Sequence, residues 1–198
     1  MNKIEKIELG TFKVKDKIVI SDPCYDKTNG FNIIKKAKTG TWKALIEVSN
    51  EGNWGKRVKN LFVCNDEYDF LDSETTEWEL IGSCGVDSGQ LGVFAEEIYK
   101  NNNAKCLDNI QEAGICKDDK FYNRMCFLTL GNDEGNNTFG GVFEKGVNVS
   151  SGFGDGEYLV LGIYDKDTTP KKIIAVWVSF FGEDEDEEDY EDEDYNVE

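Results

Sequence analysis

Between Trp42 and Val48 the side chains change character at every second position. Trp42, Ala44, Ile46 and Val48 share one parity, and Lys43, Leu45 and Glu47 share the other. A period of two is the mark of a strand with one face buried. Similar short apolar segments recur along the chain at 6–14, 17–21, 58–64, 77–82, 122–130, 139–150, 157–164 and 172–181, separated by Gly, Asn, Asp, Ser and Pro. A strand buries only one or both of its pleated faces, so a chain built this way must stack sheets to make a core. Segment 172–181 is apolar on both parities, with Ile174, Val176, Val178 and Phe180 on one side and Ile173, Ala175, Trp177 and Phe181 on the other. It therefore reads as a central strand covered on both faces. Residues Asp165–Pro170 read as the turn that folds 157–164 back against it as a hairpin.

Helical period is sparser. Leu91, Phe94, Ala95, Ile98 and Tyr99 fall at i, i+3, i+4, i+7 and i+8, and Asp87 with Gln90 in front of them resembles a capping box. The spacing predicts a helix over 91–99, a weaker one near 105–113, and leaves 31–38 ambiguous. The fold class expected is mainly β (α+β): a single sandwich-like domain over 1–182, with about nine strands and one or two short helices. Residues 183–198 stand apart. They hold twelve of the 40 acids, which leaves the rest of the chain a net −6 of the total −18. Such a run repels itself and predicts a disordered acidic tail, either solubilising or a mimic of nucleic-acid charge.

Composition excludes several chemistries. The chain has no histidine, which removes Ser-His-Asp and Cys-His catalysis, His-ligated zinc and an imidazole switch. Only Arg57 and Arg124 supply guanidinium groups, and the overall field is negative, so direct nucleic-acid binding is not expected. The six cysteines form no C-x-x-C pair. The charged N-terminal stretch lacks the apolar core of a signal peptide, and no run approaches the ~18 apolar residues of a membrane span. Free thiols in a reducing, cytoplasmic setting are the expectation.

Three glycine-flanked loops concentrate polar groups: Ser21-Asp-Pro-Cys-Tyr25, Gly85-Val-Asp-Ser-Gly-Gln90 and Ser150-Ser-Gly-Phe-Gly-Asp-Gly-Glu-Tyr158. Each puts an aspartate at a strand or helix end. Asp22 reads as an Asx-turn residue, Asp87 as a helix cap and Asp155 as a turn residue. Gathered together, the three would form an oxygen-only site suited to Mg²⁺, Mn²⁺ or Ca²⁺. Cys24 has no histidine to activate it and reads as a buried or inert thiol. Trp54, in the hairpin tip Glu51–Gly55, is a candidate contact residue, whereas Trp42, Trp78 and Trp177 read as core. With their loop neighbours, the candidate ligand-binding residues are Asp22, Cys24, Tyr25, Trp54, Asp87, Ser88, Gln90, Phe153, Asp155 and Tyr158.

The motifs SDPCY, VDSGQ and SSGFGDGEY, followed by an aliphatic hairpin, resemble the bacterial and phage proteins grouped as domain of unknown function 4241, over roughly residues 15–181. The resemblance implies a compact strand-rich domain with no established activity. It also implies that Asp22, Asp87, Gln90, Asp155 and Gly156 belong to one motif set.

The expected function is a non-enzymatic binding protein that holds a small-molecule ligand or protein partner through loops at one end of its sheets. Lys- and Asn-rich, Arg-poor usage suggests an AT-rich bacterial or phage genome, a setting in which immunity proteins and sequesterers of signals are common. The alternatives are a divalent-metal-dependent hydrolase built on Asp22, Asp87 and Asp155, and charge mimicry by the acidic tail.

Overall fold

The computed structural model describes residues 3–68, 78–100, 120–130 and 139–181. The expectations for 105–113 and for the acidic run 183–198 lie outside these residues. The described strands are β1 (Glu5–Val14), β2 (Lys17–Ser21), β3 (Ile33–Lys36), β4 (Gly40–Asn50), β5 (Lys56–Asn65), β6 (Glu79–Val86), β7 (Gln90–Ala95), β8 (Gly140–Phe143), β9 (Gly146–Ser150), β10 (Gly156–Tyr164) and β11 (Ile173–Ser179). One α-helix, α1 (Lys120–Leu130), and a 3₁₀ turn at Gly52–Trp54 accompany them.

The strands form two antiparallel sheets, one in the order β1-β4-β5-β11-β10-β6 and one in the order β3-β2-β7-β9-β8. The fold is a mainly-β sandwich. Its core lies between the sheets and is filled by Trp42, Ala44, Ile46 and Val48 of β4 with Val58, Leu61 and Val63 of β5, facing Ile18, Ile20, Leu91, Val93, Val147 and Val149. Each aliphatic side chain removed from water here contributes about 1.5–3 kcal/mol. Trp42 is wholly buried because its one polar group is satisfied: the indole N–H donates to the Lys38 carbonyl at 2.9 Å. A third layer sits outside the smaller sheet, where Phe121, Met125 and Leu128 of α1 pack on Phe94, Ala95 and Phe143.

Segments 42–48 and 157–164 occupy the positions their patterns predict, and 172–181 forms the interior strand β11, but it is not covered on both faces: Trp177 and Ser179 on its outer side are only partly buried. β11 forms the expected hairpin with β10. Three further readings are corrected. Residues 91–99 are not a helix: Gln90–Ala95 is β7, flanked by β2 and β9. Its Leu91 and Val93 enter the inter-sheet core while Phe94 turns to the α1 side, so both parities are apolar and mimic a helical stripe. Residues 122–130 are not a strand but most of α1, for which Phe121, Met125 and Leu128 supply the i, i+4, i+7 face. Segment 139–150 is two strands, turned at Glu144–Lys145. The ambiguous 31–38 contains β3, and the described strands number eleven where about nine were expected.

Strand directions decide where the loops go. β2 ends beside the start of β7, with Ser21 paired to Gly92. β9 ends opposite Gln90 at Ser150, and β10 begins opposite Val86. β5 runs antiparallel to both β4 and β11, so the β4–β5 hairpin and the end of β11 reach the same end of the sandwich.

Candidate functional site

The loops at this end are tied together by Asp22. Its side chain is wholly buried, yet no lysine or arginine pairs with it in a salt bridge among the described residues. Four donors converge on the carboxylate instead. Oδ1 accepts the Cys24 amide at 2.7 Å and the Ser88 hydroxyl at 2.6 Å, and Oδ2 accepts the amides of Asp87 and Ser88 at 2.8 and 2.7 Å. The first of these is an Asx turn within the loop, and the other three cross to the β6–β7 turn. A buried carboxylate without partners costs far more than a core side chain contributes, so these donors are what allow it inside. Below it, the Tyr99 hydroxyl lies 2.8 Å from Ser21 Oγ and reaches the carbonyls of Tyr25 at 2.6 Å and Asp22 at 3.1 Å. Burial pushes the Tyr99 phenol up from its ordinary range.

Gly89 joins the third loop to this knot. Its amide donates to Asp155 Oδ1 at 3.1 Å and its carbonyl accepts the Ser151 amide at 3.0 Å. The Ser151–Gly154 turn is then pinned from behind, because the Tyr158 hydroxyl donates to the carbonyls of Gly154 and Ser151 at 2.8 and 3.1 Å. Gly152 has φ +55, and a β-carbon there would sit 2.9 Å from Phe180 Cβ, so the turn requires glycine.

The three loops therefore meet, but their aspartates do not face one another. Asp22 is enclosed by donors, while Asp87 and Asp155 are exposed. No group of three acidic or thiol side chains that could hold a metal ion occurs among the described residues, and this geometry lends the metal reading no support. Asp87 is not a helix cap, since no helix follows it. Its amide serves Asp22, and burial, seconded by the Asp87 carboxylate, pushes the half-buried Tyr25 phenol up. Gln90 likewise caps nothing. Buried in β7, its Oε1 accepts Asn148 Nδ2 at 2.8 Å and the Thr129 hydroxyl at 3.1 Å, fastening α1 to the smaller sheet. Cys24 is exposed, but partial desolvation and the adjacent Asp22 carboxylate push its thiol up to about 12. Cys24, Cys64, Cys84 and Cys126 are free thiols. On α1, burial and Cys126 push Tyr122 up to about 12, close to Ser88.

The remaining candidates form the exposed part of the site. Trp54, at the β4–β5 tip, is 68% exposed and meets the ring of Phe153, 56% exposed, edge to face at 6.2 Å. Phe153 stacks on Phe181 at 5.0 Å, and Lys59 Nζ lies 5.7 Å from the Phe181 ring centroid. This ledge borders a groove of about 430 Å³ on the outer face of the larger sheet, with Leu159, Leu161 and Trp177 among its apolar lining and Lys59, Asn60, Glu157 and Ser179 among its polar lining. Trp177, expected in the core, is only half-buried. It stacks on Phe62 at 5.7 Å, and its indole N–H donates to Asn60 Oδ1 at 3.0 Å. Phe181, Leu159 and Lys59 were not among the candidate residues: Phe181 read only as part of an apolar segment, and Leu159 and Lys59 only as strand positions.

Compared with family models, curated proteins and solved structures, the chain shows no match. The likeness to domain of unknown function 4241 rests on its three motifs alone.

Proposed function

We propose that this chain is a non-enzymatic binding protein whose contact surface is the aromatic ledge Trp54–Phe153–Phe181 and the groove it borders. The observation that carries the reading is the exposure of the ledge. Large aromatic side chains are usually mostly buried, and a contiguous exposed group of them beside a concave surface marks a contact site. Four of the eight exposed large apolar residues among the described ones, Trp54, Phe153, Leu159 and Leu80, lie on this ledge or on the same sheet face. The Asp22 knot supports the reading as scaffold: it holds the base of the third loop so that Phe153 is presented in a set position, and preorganised contacts bind at lower entropic cost. The exposed thiol of Cys24 adds no nucleophile, because a thiol at about 12 is almost wholly protonated near neutral pH.

The test is a ligand-observed NMR screen of small metabolites and short peptides against the wild-type chain and the Trp54→Ala/Phe153→Ala variant. Both positions are exposed, so the variant should melt within a few degrees of wild type. Binding that disappears in the variant is the expected result. Ligands that bind both proteins equally would place the contact surface elsewhere.

A further inference from the structure

We infer that the occupant of this ledge is a second copy of the chain, docked face to face in a two-fold dimer in which Lys59 of each copy meets Glu157 of the other. The inference rests on the binding reading above and names the partner. Its ground is the layout of charge around the apolar surface. Arg57 and Lys59 stand on β5, Asp155 and Glu157 stand at the start of β10, and β11 lies between the two strands. Lys56, beside the first pair, is held by Glu5 at 2.7 Å, and Glu51 adds one acid at the hairpin tip. The charges around the ledge are therefore balanced in sign but split in place.

Strand register sets the two charges that line the groove level with each other. Leu161 and Phe62 both lie opposite Trp177. Continued to the strand ends, these registers bring Glu157 beside Phe181 and Lys59 beside Phe180, whose amide donates to the Lys59 carbonyl. Two strand spacings, about 10 Å, separate them. Within one copy Lys59 pairs with no carboxylate among the described residues, and the exposed Glu157 accepts the Ser83 hydroxyl.

A two-fold axis lying in the contact plane along β11 keeps each residue's level and exchanges the two sides. It sets β5 of each copy over β10 of the other, so that the Lys59–Glu157 pair forms twice, and it brings Trp54 from the β5 side toward Phe153 on the β10 side. Leu159 and Trp177 supply the apolar middle. Such reciprocal matching is what an isologous interface requires. A partner of one charge sign would leave one wall of the groove facing like charge. The net −18 repels two copies at a distance, but a Debye length of about 8 Å at physiological salt screens that repulsion more than it screens pairs in contact.

The experiment is sedimentation equilibrium of the full chain at about 150 mM NaCl. A monomer–dimer equilibrium with a Kd of about 10–100 μM is expected. Trp54→Ala/Phe153→Ala should weaken it at least about tenfold, the scale of lost anchoring contacts. Lys59→Glu alone, and Glu157→Lys alone, each set like charges opposite one another twice and should weaken it at least about tenfold as well. The double variant Lys59→Glu/Glu157→Lys should dimerise again, and an equimolar mixture of the two single variants should form a heterodimer although neither associates with itself. Both rescues carry the same substitutions as the single variants, so loss of fold cannot imitate them.

A chain that stays monomeric to about 1 mM, ten times the weakest Kd expected, overturns the inference. So does a dimer that the ledge variant leaves intact, or one that neither the double variant nor the mixture restores. A monomeric chain whose ledge binds a metabolite or peptide in the NMR screen overturns the inference and leaves the binding reading intact. A monomeric chain with no ledge-dependent ligand overturns both.

Discussion

Asp22 shows how a single side chain can organise a loop cluster without being available for chemistry. Its two oxygens take donors from its own loop and from the β6–β7 turn. Removing it leaves the part-buried amides of Cys24, Asp87 and Ser88 without this acceptor. Asp22→Ala is expected to cost roughly 3–5 kcal/mol, since hydrogen bonds to a charged group contribute about 1.5–3 kcal/mol each and an unsatisfied buried donor adds about 1–3 kcal/mol. Urea unfolding measures this. A loss below about 1 kcal/mol would show that the loops are held by other contacts. Cys24 is expected to behave as an accessible but sluggish thiol. The thiolate is the reactive form, and a thiol raised to about 12 holds little of it. At pH 8, alkylation of Cys24 by iodoacetamide, followed by mass spectrometry, should run at least about 100-fold slower than that of free cysteine. A rate near that of the free amino acid would mean that Asp22 does not exert its field there.

Among the elements, legibility followed the number of covered faces. β4 has one face in the core and one outside, and its alternation could be read directly. β11 has apolar side chains on both sides and still read as a strand, because β-branched residues fill it. β7 could not be read, because Leu91, Phe94 and Ala95 fall on helical spacing by coincidence of two buried faces. The decisive residue was Gly92. A β-carbon there would lie 2.1 Å from Phe94 Cζ and 2.6 Å from the Val147 carbonyl oxygen, which is a contact between packed strands. Gly92→Ala is therefore expected to destabilise the fold by about 3 kcal/mol or more, whereas in a helix the same change would stabilise by about 1 kcal/mol. A thermal melt decides it, and an unchanged or higher midpoint would contradict the strand packing. α1 was missed for the converse reason. Aromatic and β-branched residues in 121–130 favour strand by propensity, and only packing of Phe121 and Met125 on Phe94 and Phe143 resolves the choice.

At the scale of the whole molecule, convergence of the loops follows from strand order, which local pattern does not encode. The three aspartate motifs could be found in the sequence as turns. That Asp22 faces inward and Phe153 outward depends on which sheets their strands enter, and those pairings are long-range. Charge acts at the same scale and could be read from composition alone. A net −18 disfavours compaction, because folding brings like charges together, and added salt screens that repulsion over a Debye length of about 8–10 Å at moderate ionic strength. The midpoint of thermal unfolding should thus rise between about 20 mM and about 300 mM NaCl, by a few degrees if screening recovers about 1 kcal/mol. Residues 183–198 carry twelve of the acids. A chain without them retains a net −6 and should show a distinctly shallower rise. Equal slopes for the two chains would mean that the acidic run is electrically remote from the sandwich.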